Sequence, residues 1–84
     1  MKGNHMKQNS LNDVRVGSSC TVTALGSMGA LKRKLIDMGI TPGVKIKVKR
    51  IAPLGDPIEI NLRGYELSIR RSEALNIFIT KDVK

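Results

Sequence analysis

His5 and Cys20 are the only soft metal donors of this sequence apart from its methionines. They sit in unrelated surroundings, His5 in a polar N-terminal stretch and Cys20 in a β-branched run. A transition-metal site needs several donors that converge, and no cysteine pair or cysteine–histidine cluster at zinc spacing accompanies these two. Asp56 and Glu59 are close enough in sequence to share a hard cation. Asp56, however, stands between Gly55 and Pro57, where turn chemistry accounts for it. No metal site and no cofactor are therefore expected. No GxxxxGK[ST] phosphate loop is present, and Cys20 has no histidine placed to activate it, so the sequence does not read as an enzyme.

Charge is the stronger signal. Fifteen Lys and Arg against seven Asp and Glu give a formal charge of +8, which admits nucleic acid, an anionic membrane surface or an acidic protein as partner. Lys45, Lys47 and Lys49, continued by Arg50 and joined by Lys32, Arg33 and Lys34, form a basic comb that could follow a phosphate backbone. The same lysines are equally a solvated strand face that discourages edge pairing. The only aromatics are Tyr65 and Phe78. Tyr65 falls on an inward stripe, so no platform for stacking bases is expected. RNA or DNA binding through this basic strand face is kept as the alternative to protein binding.

The elements that must position these residues follow from periodicity. With 84 residues, 40% hydrophobic and 26% charged, the chain has room for one small core, built from Ile, Leu, Val, Ala and Met. No apolar run approaches the roughly 20 residues of a membrane span. Residues 1–10, MKGNHMKQNS, have no period and read as a disordered leader or cloning remnant. The folded domain is expected over 11–80, with 81–84 as a tail.

CTVTAL, residues 20–25, alternates as a strand with Cys20, Val22 and Ala24 inward. Leu31, Leu35 and Met38 have helical spacing over 30–38, with Ser27 placed as N-cap and Gly39 where a left-handed cap belongs. Pro42 and Gly43 read as a type II turn that delivers the chain into the alternation of Val44, Ile46 and Val48. Gly55, Asp56 and Pro57 form a loop before two alternating runs joined at Gly64, the second with Tyr65, Leu67 and Ile69 inward. Ser72 caps a short helical turn, and 76–79 is a last strand. Five short strands linked by tight turns predict a mainly β fold, a small five-stranded SH3-like barrel. One short α-helix is inserted in it, and a helical turn lies near the C-terminus.

KLIDMGITPG (34–43), APLGDPIE (52–59), RGYEL (63–67) and RRSEA (70–74), in this order and spacing, resemble the ferrous iron transport protein A family over about residues 11–80. The resemblance implies an SH3-like barrel and a noncatalytic cytoplasmic accessory of bacterial ferrous iron uptake. Its implied partner is the membrane permease that carries a GTPase domain, so that it works at the inner face of the membrane. The same fold forms the C-terminal domain of iron-dependent repressors, but no helix-turn-helix precedes Leu11. Gly39, Pro42, Gly43, Gly55, Asp56, Pro57 and Gly64, which carry much of the resemblance, are read as structural turn residues.

Three apolar residues lie off the core stripes. At about 100° per residue Ile36 falls beside Lys32 and away from Leu35. Leu54 sits at a loop tip, and Met28 in the loop before the helix. With Lys32 and Arg33 as a charged border they form either a partner-binding patch or a second, satellite core.

Overall fold

The computed structural model describes residues 9–26 and 29–81. Its elements are a 3-10 turn Leu11–Asp13, β1 Ser19–Leu25, α1 Ala30–Asp37, β2 Lys45–Ile51, β3 Ile58–Leu62, β4 Tyr65–Ile69, α2 Arg71–Ala74 and β5 Ile77–Lys81. The strands form one antiparallel sheet in the order β4-β3-β2-β1-β5. The two terminal strands, β4 and β5, are connected by α2, and the 3-10 turn packs against both α2 and β5. This is the five-stranded, mainly β architecture with one inserted helix that the alternation predicts.

Alternation puts the aliphatic residues on the inner face. Cys20 lies opposite Ile46, Val48 opposite Ile60 and Ile58 opposite Ile69, all buried. Cross-strand aliphatic pairs of this kind are the stabilising unit of a sheet. Register shifts between Val22 and Ala24 and between Val48 and Arg50 break the strict alternation. A bulge rotates the following residues, so Ala24 is only half-buried while Leu25 packs against the core.

α1 lays Leu31, Leu35 and Met38 on this core and ends in a hydrogen-bond pair that satisfies its last carbonyls. The Gly39 N–H donates to Ile36 O at 2.9 Å and the Ile40 N–H to Leu35 O at 3.0 Å. This 5→2 and 6→1 pattern is a Schellman cap, and it requires Gly39 at φ +93°. The chain leaves through Pro42 and Gly43, with Val44 N–H donating to Thr41 O at 3.1 Å and Gly43 at φ +95°. At the other end the N-cap of α1 is Gly29, without a side-chain cap, in place of the expected Ser27, which lies outside the described residues. Likewise α2 is capped at Arg70 and not at Ser72. Glu73 is what selects that position, since its Oε1 accepts the Arg70 N–H at 3.1 Å.

Tyr65 corrects a further expectation: its side chain is 71% exposed. It is paired with buried Leu62 and so has the inward parity, but β4 is an outer strand and the pair stands at its turn end. Among the described residues no further strand covers the ring there. Asn9 and Ser10, which the sequence places in the leader, pair with β5: Ile79 N–H donates to Asn9 O at 2.9 Å and Ser10 bridges Phe78.

Candidate docking site

The turn of α1 that points its leucines inward leaves Lys32, Arg33 and Ile36 on the outward flank. These three line one shallow depression together with Gly29. Ile36 is 43% exposed within it. Leu54 is 96% exposed, at the tip of the 53–57 loop, and does not line that depression. Met28 lies outside the described residues. Of the five residues expected to form a patch, then, the structure gathers three.

The 53–57 loop is tied down from α2. Arg71 Nε donates to Gly55 O at 2.6 Å and the Arg71 N–H to Asp56 Oδ1 at 3.0 Å. Gly55 takes φ +89° as its N–H turns back to Ala52 O. Leu54 is thereby presented on a loop whose base is held on both sides, and Asp56 is engaged by a backbone donor. Glu59, the other carboxylate considered for a cation, pairs elsewhere, with Arg50. No group of three or more cation-binding side chains occurs among the described residues.

Partnering decides which cations are available. Lys34 Nζ meets Glu73 Oε2 at 2.7 Å, joining α1 to α2. The Lys34 hydrogen bond holds the Glu73 carboxyl below its usual range; burial opposes the shift and the Arg70 N–H adds to it. Lys32 and Arg33 have no such carboxylate among the described residues. On the comb, Arg50 donates to Glu59 Oε1 through Nε at 3.1 Å and its terminal nitrogen at 2.8 Å. The hydrogen bond and charge of Glu59 raise the already high pKa of that guanidinium. Lys49 lies 3.9 Å from Glu66. The basic strand face is thus interleaved with carboxylates from β3 and β4, which a phosphate backbone would meet as repulsion.

Sequence reasoning missed Glu73, Glu59 and Glu66 as charge partners. Each pairing joins residues of different elements: Lys34 and Glu73 are 39 positions apart, and Glu59 meets Arg50 only through the register of β2 with β3. No local pattern encodes them.

Residues 9–81 match the family model of the FeoA domain. The chain belongs to the FeoA domain family. Its fold is similar to that of a FeoA-like protein from Clostridium acetobutylicum, with a TM-score of 0.85 and 39% identity, covering 95% of this chain and 93% of that one. It is also similar to FeoA of Stenotrophomonas maltophilia, described as a prokaryotic SH3 domain protein and solved with zinc. There the TM-score is 0.73 and the identity 20%, over 88% of this chain and 89% of that one, a likeness of fold. Among characterised proteins, a Porphyromonas gingivalis fusion of Fe(2+) transport protein A with the Fe(2+) transporter FeoB is 28% identical over 67 residues. That match covers 80% of this chain and 8% of the fusion protein. FeoA-family membership associates this protein with ferrous iron transport.

Proposed function

We propose that this FeoA-family protein is a noncatalytic accessory of ferrous iron uptake, acting by binding the cytosolic part of the ferrous iron permease. The observation that carries this reading is the Porphyromonas gingivalis fusion, in which a related domain is joined to FeoB in one chain. Covalent linkage holds two modules at high effective concentration, an arrangement that serves partners which act together. A protein with this role works in the cytoplasm at the inner face of the membrane. Its own helices fit that place, since none among the described residues is long and apolar enough to cross a bilayer.

Docking is assigned to the outward flank of α1, with Ile36 as aliphatic anchor and Lys32 and Arg33 as its rim, and with Leu54, and Met28 from the adjoining segment, as further anchors. A few buried aliphatics hold a transient complex while rim charges set its association rate. The alternative, RNA or DNA on the basic strand face, is disfavoured by Glu59 and Glu66, which stand among its cations.

The test is retention of the untagged protein on the immobilised full-length permease. Stoichiometric retention that survives washing is expected. Flow-through of all the protein would overturn the reading.

A further inference from the structure

We infer that the partner segment received by α1 is acidic and carries an aliphatic side chain, an inference that rests on the docking reading above. Three observations on the same helix lead to it. Lys32 and Arg33 are consecutive, exposed, and without an ion-pair partner among the described residues, whereas the next cation, Lys34, is consumed by Glu73. Of the three cations on α1, two are therefore left facing outward on the rim of one depression.

The apolar lining of the depression defines the rest. Ile36 forms part of its lining and shows 43% of its surface. An exposed aliphatic residue beside unpaired cations gains contact area from an apolar side chain laid against it. Ile36 is the only large apolar residue exposed on α1, whereas a helix that lies on a lipid surface buries a whole apolar face. Among the described residues no aromatic side chain lines the depression, so a nucleobase would find no aromatic face to stack on. The complement is therefore a peptide surface with a Leu, Ile or Met flanked by Asp or Glu, such as one face of an amphipathic helix laid against α1.

Charge acts here at both range and contact. The formal charge of +8 draws an acidic surface from a distance, and the Lys32 and Arg33 pair then fixes which face it meets. An interface of this composition weakens as salt rises, because the Debye length falls from about 10 Å at 0.1 M to about 3 Å at 1 M.

The test uses the full chain and the full-length permease in neutral detergent, titrated at low and high salt. The proteins compared are wild type, Lys32→Glu/Arg33→Glu, Lys32→Ala/Arg33→Ala, and Lys47→Glu as a surface control. Circular dichroism checks each fold, and the alanine pair serves should the charge-reversed pair fold poorly. The expected result is an affinity loss of about tenfold or more for the reversed pair, a smaller loss for the alanine pair and little change for Lys47→Glu. The salt dependence of wild type should be largely absent from the alanine pair. Wild-type binding that is insensitive to salt and to both pairs would overturn the acidic partner while leaving the permease reading in place. No binding by wild type overturns both. Sedimentation with phosphatidylcholine and phosphatidylglycerol vesicles supplies the remaining arm. Vesicle binding lost in the reversed pair, without permease binding, would make the surface a lipid contact and overturn the proposal.

Discussion

Glu73 accepts a hydrogen bond from Lys34 at 2.7 Å, across 39 positions of sequence, and with its other oxygen accepts the Arg70 N–H at 3.1 Å. One carboxylate thus caps α2 and clamps α1 to it. The clamp removes Lys34 from the outward charge of α1 and helps fix which flank of that helix faces solvent.

The clamp makes stability depend on acid. Because the folded pKa of Glu73 lies below its unfolded value, its contribution is present above the unfolded pKa. It is lost as pH falls through the folded one, below the ordinary glutamate value of 4.5. Glu73→Gln should lower stability at neutral pH by about 1–2 kcal/mol. It should also flatten the decline of urea midpoints in that acid range. Equal midpoints for the two proteins across the whole range would remove Glu73 from the account.

At the end of α1, Gly39→Val should be costly for two separable reasons. A β-branched residue at φ +93° is strained, and a Cβ there would lie 3.2 Å from Leu62 Cδ2. A loss of about 1–2 kcal/mol from the conformation alone is expected, with the Leu62 contact added. Lys47→Ala, on an exposed strand face, should change stability by less than about 0.5 kcal/mol. Thermal melts that rank the two equally would contradict the cap.

At the N-terminus, Ser10 is 7% exposed; its Oγ accepts the Asn12 N–H at 3.2 Å and its own N–H donates to Asp13 Oδ2 at 2.9 Å. Ser10→Ala should cost about 1 kcal/mol, the usual loss on deleting a cap. Hydrogen exchange should then speed up at Ile79, whose N–H is held by Asn9 O. Unchanged exchange there would show that residues 9–10 do not brace β5.

What the sequence made legible was local. The Schellman cap at Gly39 and the turn at Pro42 and Gly43 are encoded by residues within a few positions of the hydrogen bonds they serve. The inward faces of β3 and of β2 as far as Val48 follow from strict alternation. Parity says which face a residue takes without saying whether anything covers it, and for that reason Tyr65 was expected inward and stands exposed. Ser10 falls in the expected leader because capping by one polar residue leaves no hydrophobic period. The candidate site divides in the same way: helical spacing places Ile36 beside Lys32, but nothing local shows that Arg71 holds the neighbouring Gly55 while Leu54 stays outside their depression.

Docking on the permease through the outward flank of α1 is the action proposed for this FeoA-family protein. Calorimetric titration into the permease's cytosolic domain decides it, with wild type, Ile36→Glu, Leu54→Glu and Lys47→Glu compared after circular dichroism has confirmed each fold. Saturable binding is expected for wild type and Lys47→Glu, and its loss in Ile36→Glu and Leu54→Glu, because a carboxylate at an apolar anchor is desolvated without a partner. Retained binding by both aliphatic variants with loss in Lys47→Glu would contradict it, and would place the interface on the basic face of β2.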